Sequence, residues 1–227
     1  HMYVNGALAI RMFIIFAAAY IMSYAFRAIN AVIAQPLVNE LGLSAGQLGF
    51  LASAYFLSFA IMQLPVGVML DRYGPRRVEA VLIGFAALGA LLFAVADSYA
   101  VLWLGRALIG IGVSACLMAA VKAYSLYFRP HLQASLSSWM LVAGSLGALT
   151  VTTPVEAALP VVGWRGVFGV AAVLCVLAGL ALWFALPALF KPQKTQSVGD
   201  MAQGYKAIYA HPHFWRVAPL AMITQGG

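Results

Sequence analysis

Two arginines, Arg27 and Arg106, stand inside long apolar runs of this sequence. A charged side chain at the centre of a bilayer costs about 2.5–3.5 kcal/mol, so it is kept for a function or tied to a partner. Arg27 lies about fifteen residues into its run, roughly 22 Å along a helix. Ser23 and Asn30, four residues before it and three after, share its helix face, and Tyr20 and Tyr24 run near the same stripe. A guanidinium on a polar face presents a planar fork that matches carboxylate or phosphate oxygens in pairs. Lys122 closes the fourth run, as a second substrate-facing cation or as a lysine snorkelling to the interface. Tyr55 and Gln63, eight residues apart on the second run, share a face that either lines a cavity or bonds neighbouring helices. Glu156 is the one acid read inside a span, so the embedded charge is positive in excess and an anion is its natural partner.

Membrane helices must position these groups. Hydrophobic residues make up 64% of the 227 and charged residues 8%, against roughly 25% charged in soluble domains. Runs of about 20 apolar residues, enough to cross a bilayer, are read at 12–34, 46–70, 78–96, 101–121, 135–159 and 166–189. The first is too long for a signal-peptide core and is followed by five more. Ser44 and Gln47 fit a capping box opening the second helix. Pro36 and Pro160 are read as span exits.

Arg11, Arg72, Arg76, Arg77, Lys122, Arg129, Lys191, Lys194, Lys206 and Arg216 all fall on one side, and Arg165 alone on the other. That asymmetry puts both ends of the six-helix block in the cytoplasm. It also argues against nucleic acid as the reason for the net charge of +7, because the basic residues lie in short stretches between spans. Cys116 and Cys175 read as small core residues, without a disulfide framework or metal site. His211 and His213 are too few ligands for a metal. No cofactor is expected, and no Gly-x-x-x-x-Gly-Lys loop for ATP is found.

His1-Met2 reads as a cloning remnant. Residues 1–190 are expected to form the six-helix domain, 191–213 a cytoplasmic linker with a short amphipathic helix, and 214–227 the truncated start of a seventh helix.

The loop between the second and third spans runs Gly67-Val-Met-Leu-Asp71-Arg72-Tyr-Gly74-Pro-Arg76-Arg77. This resembles the signature loop of the major facilitator superfamily, with Pro75 and Glu79 departing from it. Arg106 followed by Gly110 and Gly112 is similar to the family's second motif, and Gly163-Trp164-Arg165 also resembles the family. Gly144-Ser-Leu-Gly147 lacks the proline of the drug-antiporter motif.

The resemblance implies an all-α membrane protein, with six transmembrane helices as a 3+3 inverted repeat forming the N-terminal half of the fold. It implies a cavity lined by the first and fourth helices, and gating by Gly67, Asp71, Arg72, Gly74, Arg76 and Arg77. Arg106 and Glu156 are assigned to coupling. Gly67 would let a neighbouring helix approach closely. Asp71, at a helix C-terminus that disfavours an anion, would be held by a helix N-terminus of another half and by nearby arginines. Arg72, Arg76 and Arg77 have a second reading as orientation charges facing anionic lipid.

The expected function is secondary active transport of a small organic or inorganic anion, by symport on an ion gradient, in a bacterial inner membrane. The expected partners are lipid, the substrate, and a C-terminal half or a second copy of the chain. Alternatives are a non-transporting assembly or sensor module, or an intramembrane enzyme. For a rhomboid-type protease, Gly112-Val-Ser114-Ala115 lacks the final glycine and the sixth span has no histidine.

Overall fold

A computed structural model of the chain describes Val4 and residues 6–190. The linker at 191–213, the seventh-helix segment, His211 and His213 lie outside the described residues.

Every regular element among the described residues is helical. α1 spans Gly6–Leu41, α2 Ala45–Tyr73, α3 Pro75–Ala94, α4 Tyr99–Val113, α5 Cys116–Tyr127 and α6 Pro130–Leu180, followed by a wider π-helical turn at Ala181–Ala185. α4 and α5 form one apolar run interrupted at Ser114 and Ala115, so five runs are long and apolar enough to cross a bilayer. The fifth is itself broken at Gly163, whose φ of 67° and ψ of 175° leave helical space.

The connections are shorter than the apolar pattern predicts. Gly74 alone separates α2 from α3. α1 continues through Pro36 and α6 through Pro154 and Pro160, so neither Pro36 nor Pro160 ends its helix. Apolar patterning marks the hydrocarbon depth. The backbone keeps its own hydrogen bonds past that depth, and local adjustment absorbs proline. Three of the bends come where a glycine adopts positive φ, at Gly42, Gly74 and Gly163.

The capping box at α2 forms: the Gln47 N–H donates to Ser44 Oγ at 3.2 Å, and the Ser44 N–H to Gln47 Oε1 at 2.9 Å. Cys116 and Cys175 are buried free thiols.

Small residues bring the helices together. A Cβ on Gly89 would come within 2.7 Å of the Gly105 carbonyl, and one on Gly112 within 2.2 Å of the Ala86 nitrogen, so α3 and α4 cross nearly backbone to backbone. Gly110 meets Tyr55 and Ser58 of α2 in the same way, and Gly144 meets Tyr20 of α1. Small-residue contacts of this kind drive association in lipid, where apolar burial does not. Val161, Phe184 and Leu149 are 83%, 78% and 73% exposed, an outward apolar surface that suits lipid and would not suit water.

Candidate functional site

The two intramembrane arginines are treated differently by the fold. Arg106 of α4 is 1% exposed. Its guanidinium donates to the Phe26 carbonyl at 3.3 Å and to Asn30 Oδ1, both on α1, while its Nε has no partner. The rings of Phe93 and Phe168 lie 5.2 and 5.5 Å from its central carbon. Buried charge is tolerated when hydrogen bonds and aromatic faces replace water. Arg106 therefore ties α4 to α1.

Arg27 is partly exposed. Its Nε donates to the Tyr55 hydroxyl at 3.2 Å, and that hydroxyl donates to the Ser23 carbonyl at 3.3 Å. Tyr24 and Phe59 flank the guanidinium at 5.1 and 5.0 Å. Among the described residues its two terminal nitrogens make no hydrogen bond, and no carboxylate lies within salt-bridge distance. Tyr55 thus aims a guanidinium whose fork is left open.

Of the other predicted site residues, Tyr24 sits against Arg27 and accepts from Tyr20 at 3.4 Å. Ser23 is buried and contributes its carbonyl. Asn30 shares the helix with Arg27 but is engaged by Arg106. Gln63 donates to the Ser114 carbonyl at 3.3 Å, answering an acceptor at the break between α4 and α5.

The signature loop is arranged by ion pairing and capping. Lys122 Nζ stands 2.7 Å from Asp71 Oδ1. The cation beside Asp71 is thus a lysine of α5, where nearby arginines were expected. Lys122, in the second half of α5, reaches the C-terminus of α2, and the loop arginines are directed elsewhere. Arg76 donates to the carbonyls of Leu182, at 3.2 Å, and of Trp183; Arg11 donates to Ala185 at 3.4 Å. Both therefore cap the end of the last helix, where the carbonyls lack helical partners.

Gly74 holds φ at 82°, and a Cβ there would lie 2.4 Å from the Phe190 ring. Arg72 lies 5.3 Å from the Tyr73 ring centroid, and Arg77 is exposed. Gly67 has nothing within 4 Å of an added Cβ among the described residues, so it makes no close helix approach there. It opens instead onto a groove of about 460 Å³ shared with Asp71 and Lys122.

Two acids have structural places that the sequence does not indicate. Glu79 of α3 is fully buried, so Glu156, which is exposed on α6, is not the only acid in a span. Glu79 stands two residues after Arg77, at the very start of the third apolar run, where a charge is ordinarily interfacial; only the helix packing shows that it is buried. Glu40 accepts from Trp164 Nε1 at 2.6 Å and from Arg165 at 3.0 Å, while Arg165 also donates to the Ala96 carbonyl at 2.8 Å and stands 3.6 Å from Asp97. The Gly163-Trp164-Arg165 turn thus clamps the ends of α1 and α3. The opposite signs of Glu40, Asp97 and Arg165 at one membrane face were the available signal.

A fold of long apolar helices crossing at small residues, with a capped signature loop at one end and arginines in its interior, defines a membrane domain of the facilitator type. A family model for the Major Facilitator Superfamily matches residues 15–226, and the chain belongs to that superfamily as an integral membrane protein. It is 31% identical over 176 residues to a protein of Escherichia coli strain K12 named Probable L-galactonate transporter, covering 77% of this chain and 38% of that protein. It is 31% identical over 177 residues to the Probable sulfoacetate transporter of Cupriavidus necator, covering 75% and 39%. It is 29% identical over 181 residues to the Probable nitrate/nitrite antiporter of Thermus thermophilus, covering 74% and 40%. The chain spans about two fifths of the length of these relatives.

Proposed function

We propose that the chain is the N-terminal half of a secondary active transporter that moves a small anion by alternating access. The observation that carries this is Arg27, whose Nε is occupied by Tyr55 and whose two terminal nitrogens have no partner among the described residues. A half-buried cation without a counter-ion favours an anionic ligand, and a planar fork favours paired oxygens. The relatives' named substrates, galactonate, sulfoacetate and nitrate or nitrite, are all anions, which supports the same reading.

The break at Gly163 divides the fifth apolar run into fifth and sixth spans, which would give the 3+3 inverted repeat. The driving force is an ion gradient, with symport of a cation. Carrying a lone anion against an inside-negative potential costs about 2.3 kcal/mol per charge per 100 mV, and a co-transported cation offsets it. The groove at Gly67, Asp71 and Lys122 faces a C-terminal half or a second copy, and the linker lies on the cytoplasmic side of a bacterial inner membrane.

The test is ligand-induced thermal stabilisation of the purified chain with galactonate, sulfoacetate and nitrate against choline and glucose. Anions should stabilise the native protein, Arg27→Lys should weaken the effect, and Arg27→Ala should abolish it. Stabilisation by choline or glucose alone, unchanged in Arg27→Ala, would remove the anion assignment.

A further inference from the structure

A buried intramembrane acid lies outside the anion site. Glu79 lies one turn into α3 from the Gly74 bend and is fully buried; the Cys116 thiol, a weak donor, stands beside its carboxyl, and neither oxygen has a well-formed hydrogen bond. The titratable side chains near enough to feel its charge are Cys116 and Tyr124 of α5, and Cys175 of α6 stands beside Cys116. None is a cation. Lys122 is held by Asp71. Arg76, three residues earlier on the same helix, turns away to the Leu182 and Trp183 carbonyls. An ionised carboxylate left without hydrogen bonds or counter-charge in apolar surroundings takes up a proton instead.

We propose that Glu79 is a proton-binding site at the cytoplasmic end of the domain, protonated in the conformation seen and deprotonated when that end opens, with Arg76 turning to receive the carboxylate. The carboxyl O–H bond breaks, the proton passes to cytoplasmic water, and the electron pair stays on the carboxylate. Residues three apart on a helix are neighbours, so Arg76 can reach Glu79 without backbone movement. Its present partners are neutral carbonyls, and an ionised carboxylate is the stronger acceptor. Deprotonation therefore releases the carbonyls at the end of the last helix, and the same motion that admits water loosens that end. Resting on the transport reading above, Glu79 is where a driving proton leaves.

The test is infrared difference spectroscopy of the purified chain in lipid nanodiscs across a pH series. The native protein should show the carbonyl stretch of a protonated carboxylic acid at neutral pH, absent in Glu79→Gln. The band should disappear as pH rises. In Arg76→Gln it should persist to higher pH by about one unit, a tenfold gain in proton affinity. Should Glu79→Gln not fold, Glu79→Met fills the space without a carboxyl and gives the same assignment. A native spectrum without the band overturns the proposal, as does a band unmoved by pH or a titration indifferent to Arg76→Gln. These spectra need no substrate. Failure of anion binding would sink the transport reading alone, and failure here would leave Arg27 standing.

Discussion

Asn30 Oδ1 on α1 accepts a hydrogen bond from Arg106 on α4, although Arg27 is its neighbour on its own helix. That pairing assigns the two arginines different work. Arg106 is bonded to two groups of α1 and flanked by two aromatic rings, whereas Arg27 is aimed by Tyr55 and left open. Asn30→Ala should strand a buried guanidinium nitrogen and destabilise the domain by about 1–3 kcal/mol. Arg27→Ala should leave stability within about 1 kcal/mol. Unfolding midpoints in detergent check the contrast, and equal losses in both variants would contradict it.

Tyr55→Phe removes a hydroxyl that accepts from Arg27 and donates to the Ser23 carbonyl. The ring and its packing against Phe59 stay. The expected result is a several-fold loss of anion affinity, with about 1 kcal/mol of stability lost for the two hydrogen bonds. Anion titrations followed by thermal shift separate the two effects.

The Asp71–Lys122 pair is half exposed on the acid side, so its contribution to stability should be no more than about 1 kcal/mol. Its role is positional, holding the end of α2 to α5 beside the open Gly67 groove. In a chain extended to the full length of its relatives, the proposed function predicts that Asp71→Asn and Lys122→Ala each slow uptake with membrane insertion intact. The exchanged pair, Asp71→Lys with Lys122→Asp, should recover part of the rate. Unchanged uptake in both single variants would remove the gate.

Gly112 stands where α4 meets Ala86 of α3, with 2.2 Å to the Ala86 nitrogen for any added Cβ. Gly112→Ala should separate the two helices and cost about 1–3 kcal/mol by overpacking. Gly67→Ala, with open space around it, should be near neutral in this chain. Thermal midpoints of the two variants check the difference.

Topology is testable at exposed positions that the bends do not constrain. A cysteine at Asp97 should react with an impermeant thiol reagent from outside intact cells, and one at Tyr73 should not. Tyr73 is 47% exposed and spares the strained backbone and Phe190 contact of Gly74. Labelling of Tyr73→Cys from outside would invert the orientation.

Composition and charge placement alone were enough to define a membrane domain of apolar helices. Lipid replaces water as the solvent, so 64% hydrophobic residues and 8% charge leave few other architectures. The signature loop, the glycines after Arg106 and the Ser44–Gln47 cap were legible because each depends on residues close in sequence. What a side chain touches across helices was not legible. Arg27 and Arg106 look alike as single charges in apolar runs, and only the crossing of α1 and α4 gives Asn30 to one and leaves the other open. Lys122 and Asp71 lie 51 residues apart in sequence, and Arg165 and Glu40 lie 125 apart. Whether such charges pair depends on helix rotation and depth. Those are set by the close approaches at Gly89, Gly105, Gly110 and Gly112, where backbone meets backbone and no periodicity in the sequence records the angle.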